Sequence, residues 1–288
     1  MHDTTKTDRE RRRVLACLLA GAAGMPIANS AAGAAEGGPD GEGLHNALLW
    51  AVAWKQTAAE YFALCHQAYN LARLRLDMIL NDRAAGARPL AVITDIDETI
   101  LHAANYWGYL VEQERDFFDD AIWDEWIPRN LATPVPGSLE FFNYCHRHGV
   151  EVFYVTNRNQ GEQSFEYALE QLKQFAYPFA DEEHLTVIRD SSDKSPLRRT
   201  VAESHEIALL IGDNLNDFKR DYYVTDIDER RALMERDRAE FGDRFILLPN
   251  PTDGHWVRAI FGDSEPQPSD ANRRVLKAAA TRSAWDGL

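Results

Sequence analysis

Residues 90–101 read Leu-Ala-Val-Ile-Thr-Asp-Ile-Asp-Glu-Thr-Ile-Leu, and the architecture of the chain follows from them. Leu90 to Ile93 is a short apolar run, bounded by Pro89 on one side and by charge on the other, which is typical of a buried parallel strand. Asp95 and Asp97 then lie at the C-terminal end of the strand, the edge where open α/β sheets bind ligands. Taken alone, the pattern also fits a strand that ends in an ordinary polar turn.

Other predicted strands also end in functional side chains. Val152–Arg158 is a second apolar strand, and it carries the hydroxyl of Thr156 near its end. Lys194 follows a predicted strand at Leu185–Arg189.

A fourth predicted strand, Ala208–Gly212, is followed at once by Asp213 and, four residues later, by Asp217. Predicted helices alternate with these strands, for example from Pro136 and over Glu162–Phe175. Such alternation specifies a parallel sheet with helices on both faces and right-handed crossovers.

The order Asp-x-Asp, Thr, Lys and Asp-x-x-x-Asp resembles the four motifs of the haloacid dehalogenase (HAD) phosphatase superfamily. Ile93–Tyr106 and Leu210–Phe218 are similar to the two signatures of class C bacterial acid phosphatases, the lipoprotein 5′-nucleotidase family. The resemblance implies an α/β fold, a HAD-like Rossmannoid doubly wound parallel sheet with a smaller, mostly helical cap or α-domain.

The resemblance also implies catalytic roles. Asp95 is expected to be the nucleophile that forms a phospho-aspartyl intermediate, and Asp97 the acid and base. Thr156 is expected to donate to the phosphoryl oxygens, and Lys194 to neutralise negative charge. Asn157 and Arg158, which follow Thr156, are predicted to bind substrate.

The metal implied by the resemblance is Mg²⁺, a hard ion that prefers oxygen ligands. Its expected ligands are the carboxylates of Asp95 and Asp213 and the backbone carbonyl of Asp97. Asp217 is expected to orient these ligands rather than to bind the metal directly.

Residues 102–136 form the most aromatic stretch of the chain and are predicted to be a cap-like insertion. Tyr106 and Trp123 are the predicted substrate-binding residues in it, since an aromatic ring can stack a nucleobase or another planar group. The family typically has a tyrosine where this chain has Asp253. That departure weakens the expectation of a strong preference for nucleotides.

The predicted domains are a signal peptide (1–35), a linker (36–43), a phosphatase domain (44–262) with a helical N-terminal part (44–82), and a C-terminal tail (263–288). Arginines followed by an apolar run and small residues are typical of a signal peptide, here similar to a twin-arginine signal. We therefore expect export to the periplasm or beyond the cell. No stable membrane span is expected because the apolar run is short.

The three cysteines indicate whether the protein could carry a lipid anchor or a disulfide. Almost no apolar region precedes Cys17, so a lipid anchor there is not expected. After export, Cys65 and Cys145 fit either a disulfide or buried free thiols. Cys65 lies near the position where the long N-terminal helix is predicted to break.

Composition narrows the function further. A net charge of −15 argues against nucleic-acid binding, and 45% hydrophobic residues suffice for a sizeable core. The main hypothesis is a Mg²⁺-dependent acid phosphatase that hydrolyses small phosphate monoesters, with nucleoside 5′-monophosphates as candidate substrates. The alternatives are a catalytically retired HAD-like binding or storage protein, which would be expected to lack the nucleophile, and a phosphotransferase. The oligomeric state stays open.

Overall fold

A parallel sheet carries the four predicted motifs. The computed structural model describes residues 46–285. Its main sheet has five parallel strands in the order β5-β4-β1-β6-β7. A separate antiparallel pair, β2 with β3, lies in the segment after the first motif. The strands are β1 Leu90–Asp95, β2 Leu101–His102, β3 Thr133–Pro134, β4 Glu151–Asn157, β5 Leu185–Ile188, β6 Glu206–Gly212 and β7 Phe245–Leu247.

The strand order explains where the site lies. From β1 the chain builds outward through β4 and β5 on one side, and it then returns to build β6 and β7 on the other side. The point where the order reverses therefore lies between β1 and β6. Ligands of open α/β sheets bind at such a switch point, outside the carboxyl ends of the strands.

Helices surround the sheet in the described residues. They are α1 Leu49–Thr57, α2 Ala59–Asp82, α3 Ala104–Glu112, α4 Asp120–Trp126, α5 Ser138–Arg147, α6 Ser164–Gln174, α7 Ser195–Ser204, α8 Ile227–Arg236, α9 His255–Phe261 and α10 Asp270–Ala280. Helix α5 confirms the helix predicted to start near Pro136. Helix α10 shows that much of the predicted C-terminal tail is helical, although it has no buried residues.

The core has two parts because successive side chains of a strand point to opposite faces of the sheet. Val92 of β1 belongs to the larger cluster, which includes Phe142 of α5. Its neighbours Ala91 and Ile93 belong to the smaller cluster, which includes Val201 of α7. Both faces of β1 are thus covered, as the doubly wound sheet predicted from the sequence requires.

The predicted break of the N-terminal helix near Cys65 is wrong in position. Helix α1 ends at Thr57 and α2 begins at Ala59, because Ala58 adopts an extended conformation with ψ 122°. Cys65 lies within α2, is buried and has a free thiol, as has Cys145. Burial raises the pKa of Cys65 to about 11, as expected of a thiol packed in a core.

The described residues all belong to one compact unit. Helices α1 to α4 form the helical part beside the sheet and belong to the same unit. Among residues 46–285, no helix is long and apolar enough to cross a membrane. The predicted signal peptide (1–35), the linker (36–43) and Cys17 lie outside the described residues.

Two glycines with similar backbone angles allow a test of core packing. Gly137 precedes α5 with φ 87°, and a Cβ there would lie 3.2 Å from the ring of Tyr69. Tyr69 is buried, and its hydroxyl donates to the carbonyl of Thr99 at 2.6 Å, so the ring has little freedom to move. Gly86 has φ 81° but is surrounded by open space.

We expect Gly137→Ala to destabilise the protein more than Gly86→Ala. In each variant an alanine must adopt a left-handed backbone, which lowers the unfolding free energy by on the order of 1–3 kcal/mol. Only Gly137→Ala adds a steric overlap. Urea unfolding of both variants measures the difference. Equal losses of unfolding free energy would contradict the packing described for Gly137.

Candidate active site

The carboxyl ends of β1 and β6 bring three acidic side chains together. Asp95 is the last residue of β1, Asp213 follows β6, and Asp217 ends a short 3₁₀ turn at Leu215–Asp217. One carboxylate oxygen from each lies within 4.8 Å of those from the other two. Parallel strands end at the same edge of a sheet, so residues more than a hundred positions apart in the chain become neighbours here.

Lys194 is the cation among these carboxylates. It precedes α7, is buried, and its ammonium contacts Asp95 and lies 2.7 Å from Asp217. Burial would lower the pKa of Lys194, but the two carboxylates outweigh this effect and raise the pKa above its ordinary value. Lys194 therefore stays charged and offsets part of the local negative charge.

One ammonium does not balance three carboxylates. Burial raises the pKa of Asp95 to about 7 even though Lys194 opposes the shift, and Asp217 and Asp97 add to it. Burial and the neighbouring acids also raise the pKa of Asp213 well above its usual range. A cluster of this kind, made only of oxygen donors, fits a hard divalent cation such as Mg²⁺.

Thr99 and Asn250 fix the orientation of the acidic cluster. The Thr99 hydroxyl lies 3.1 Å from Asp95 Oδ2 and 2.9 Å from Asp213 Oδ1. The Asn250 amide donates to Asp213 Oδ2 at 2.7 Å. Asp217 is held by Lys194 at one oxygen and by the backbone N–H of Asn214 at the other, at 2.9 Å.

Asp97 lies two residues after Asp95, and its carboxylate accepts hydrogen bonds from a different set of side chains. Its carboxylate accepts from the Thr156 hydroxyl at 2.7 Å and from Arg158 Nε at 2.8 Å, and Arg158 Nη2 donates to its other oxygen. The structure thus pairs Arg158, predicted to bind substrate, with Asp97. Thr156, predicted to donate to phosphoryl oxygens, here donates to Asp97. The sequence contained no signal for either pairing.

The acidic cluster, Lys194, Asp97 and Thr156 line a small cavity of about 160 Å³, which we call the catalytic pocket. It shares part of its lining with a second cavity of about 440 Å³, the outer chamber. The residues common to both cavities include Trp123, Phe118, Asn157 and Asp253. A phosphoryl group bound beside Asp95 would therefore direct the rest of the ester toward the outer chamber.

The predicted substrate-binding residues differ in their access to these cavities. Trp123 lines both, and Asn157 is exposed at their shared wall, where its amide contacts the carbonyl of Ser191. Tyr106 lines neither of them and is fully buried. Its ring packs 4.9 Å from Trp123, and its hydroxyl bonds to the backbone of Asp119. The assignment of Tyr106 as a stacking residue is therefore corrected: it supports Trp123 from behind.

A buried ion pair that sequence reasoning missed lies beside the turn after Asp95, residues 96–99, which we call the catalytic turn. Lys55 of α1 is 1% exposed and contacts the carboxylate of Glu98, the residue after Asp97. Lys55 also donates to Thr252 at 2.9 Å, and Glu98 accepts from the Trp107 indole at 2.7 Å. Burial opposes ionisation of Glu98, but the contacts with Lys55 lower its pKa below the ordinary value.

Comparison with known proteins agrees with this geometry. Residues 44–256 match the family model of the HAD superfamily, subfamily IIIB (acid phosphatase). A structure of the class C acid phosphatase from Bacillus anthracis with tungstate bound is 29% identical, with a TM-score of 0.73, and the match covers 83% of this chain and 97% of that chain.

A second structure of the class C acid phosphatase from Bacillus anthracis is 30% identical over the same shares of both chains, again with a TM-score of 0.73. The family match spans most of the sequence and includes both strands that carry the acidic cluster. This chain therefore belongs to subfamily IIIB of the HAD superfamily, the class C acid phosphatases, and is a phosphomonoesterase.

Proposed function

We propose that this acid phosphatase is Mg²⁺-dependent and hydrolyses small phosphate monoesters through a phospho-aspartyl intermediate. The observation that carries the proposal is the position of Asp95. Its carboxylate lies at the floor of the catalytic pocket, in contact with Lys194 and close to Asp213 and Asp217. Lys194 and a bound cation would supply the positive charge that this nucleophile needs, because a phosphate dianion repels a carboxylate.

Asp95 and Asp213 would hold the metal, with the backbone carbonyl of Asp97 as the third expected protein ligand. Asp217 is assigned an orienting role: it accepts from Lys194 at one oxygen and from the Asn214 backbone at the other, although it is also close enough to Asp95 and Asp213 to bind the same ion. When bound, the cation neutralises charge on the phosphoryl oxygens and on the acidic cluster.

The protein's own residues divide the reaction between them. An oxygen of Asp95 attacks phosphorus, the bond to the leaving oxygen breaks, and protonated Asp97 gives its proton to that oxygen. Water then attacks phosphorus of the phospho-aspartate and passes a proton to Asp97, and the bond between phosphorus and the Asp95 oxygen breaks. Phosphate is released, Asp95 is again a carboxylate, and Asp97 is again protonated. The contacts of Thr156 and Arg158 keep the Asp97 carboxylate in place for both transfers.

Nucleoside 5′-monophosphates are candidate substrates because the outer chamber has aromatic walls. Trp123 and Phe118 line it and can contact a nucleobase or a smaller leaving group. Tyr106 is not available for stacking. Transfer of the phosphoryl group to an alcohol instead of water would use the same residues.

Metal dependence follows from the charge of the acidic cluster. We expect EDTA to abolish hydrolysis of nitrophenyl phosphate and Mg²⁺ to restore it, measured as steady-state release of nitrophenol. Full activity in the presence of chelator would refute the metal assignment.

Substitution of Asp95 and substitution of Asp97 are expected to block different steps of the reaction. Asp95→Asn should form no phosphoenzyme and release no product from any ester. Asp97→Asn should release up to about one equivalent of nitrophenol per site in a burst and then stall, because the phospho-aspartate lacks its base. With an alkyl ester, which needs a proton on the leaving oxygen, the first step should slow by about 10²–10⁴-fold.

Rapid-mixing measurements of nitrophenol release and of acid-stable phosphoenzyme separate these steps. Undiminished steady turnover of both esters by Asp97→Asn would mean that Asp97 is not the acid and base.

Gly212 allows Asp217 to approach the end of β6. A Cβ at Gly212 would lie 2.3 Å from Asp217 Oδ2 and 2.4 Å from its Cβ, so Gly212→Ala must displace Asp217 from Lys194. We expect kcat to fall by about 10²-fold, the usual effect of a shift of about 1 Å in a catalytic group. Gly108→Ala in α3 is the control, because its nearest contact is the flexible end of Gln56. Equal kcat values for the two variants would contradict the role given to Asp217.

A further inference from the structure

The outer chamber is strongly acidic, which the proposed mechanism does not require. Four carboxylate side chains line it: Asp120, Asp124, Asp253 and Glu265. They come from α4, from the turn after β7 and from the segment before α10. Phosphate esters are anions, so a chamber of this charge works against their binding unless the alcohol part of the ester compensates.

The basic side chains that line the chamber are not free to compensate. Two nitrogens of the Arg158 guanidinium, Nε and Nη2, donate to the Asp97 carboxylate, so these donors are directed at Asp97 rather than at a ligand in the chamber. His255 is the other basic residue in the lining. Burial lowers the pKa of His255 to about 4, so its ring is uncharged at neutral pH.

Asp253 is the carboxylate placed closest to the chemistry, because it lines both the catalytic pocket and the outer chamber. Within residues 46–285 no ion pair is formed by Asp253, whereas Glu98 nearby is paired with Lys55. Burial raises the pKa of Asp253 to about 6, so the group is mostly ionised at pH 7.5. Its charge faces space that the leaving group of the substrate must occupy.

The other acids add charge of the same sign. Asp124 is exposed at the chamber wall and accepts from the Gln160 amide at 2.8 Å. Burial and a hydrogen bond with Asp120 raise the pKa of Glu265 to about 7, so this pair carries its full charge only above neutrality. Trp123 and Phe118 complete the wall, and aromatic faces also attract cations.

We propose that Asp253 is a specificity-determining residue that selects phosphate monoesters of alcohols bearing a positive charge, such as aminoalkyl and quaternary ammonium alcohols. The inference rests on the proposed function, because it assumes that the ester's phosphorus lies beside Asp95. A cationic alcohol would form an ion pair with Asp253 across the chamber, and the aromatic walls would contact its alkyl groups. An ester with a second anionic group would be repelled.

The test compares four substrates at pH 7.5 with saturating Mg²⁺. They are phosphocholine and phosphoethanolamine, with cationic alcohols, glycerol phosphate, with a neutral one, and phosphoglycerate, with an anionic one. For the unmodified protein we expect kcat/KM to fall about tenfold for each unit of charge from cationic to neutral to anionic, as for a partly solvated charge pair. The preference should shrink as salt is added.

Asp253→Asn should reduce the ratio of kcat/KM for phosphocholine to that for glycerol phosphate by about tenfold. The ratio is the readout rather than either absolute value, because Asp253 also lines the catalytic pocket. Asp124→Asn, at an exposed position that tolerates substitution, should shift the ratio in the same direction by a smaller factor. Asp228→Asn is the control, because Asp228 lies on α8, pairs with Arg282 and lines neither cavity.

The outcomes separate the two proposals. Turnover of nitrophenyl phosphate without a preference for cationic esters, or an unchanged ratio in Asp253→Asn and Asp124→Asn, would overturn the inference and leave the proposed function intact. No turnover of any ester, nitrophenyl phosphate included, would overturn both.

Discussion

The contact on which the site depends is the one between the Lys194 ammonium and the carboxylates of Asp95 and Asp217. The contact joins residues that end or follow three different strands, β1, β5 and β6. It forms in a buried environment, where an uncompensated charge strongly destabilises the fold. Lys194 lowers the pKa of Asp95 against the effect of burial, and without it the described carboxylates of the cluster would have no ammonium in contact. The remaining excess of negative charge is what makes a divalent cation the natural complement of the cluster.

The turn after Asp95 separates the two acids, Asp95 and Asp97, that the proposed mechanism requires. Glu98 has a left-handed backbone with φ 59°, a conformation that costs a residue other than glycine on the order of 1–3 kcal/mol. The ion pair with Lys55 and the hydrogen bond from Trp107 hold Glu98 in it. Asp95 therefore faces the acidic cluster while Asp97 turns toward Thr156 and Arg158. The left-handed backbone of Glu98, stabilised by its contacts with Lys55 and Trp107, thus directs Asp95 and Asp97 to different parts of the site.

Much of this site could be predicted from the sequence, because each motif is a continuous segment in which an apolar strand leads into a polar residue. Apolar runs that end in Asp95, Thr156 and Asp213 predict parallel strands, and parallel strands must end at one edge. What could not be predicted depends on distant pairs. Lys55 meets Glu98 and Thr252, 43 and 197 positions away, and no periodicity encodes such contacts.

Aromatic residues illustrate the same limit. Tyr106 and Trp123 are equivalent candidates in the sequence, but only packing decides which ring lines the cavities and which one lies behind it. Likewise, the break at Ala58 has no glycine or proline to mark it. On either side of the break, α1 and α2 bury side chains in the same core, Val52 and Tyr61 among them.

The burial of Lys55 also sets the minimal extent of the enzyme. A fragment that began at β1 would contain every motif residue and still lack the cation that holds the catalytic turn. Glu98 would then lack its ion-pair partner, and loss of one partner of a buried ion pair typically costs about 3–5 kcal/mol. A cut near the N-terminus is therefore compatible with an active enzyme only if it leaves α1 intact, upstream of Leu49. The first described helix is therefore a working part of the phosphatase and not a spacer ahead of the sheet.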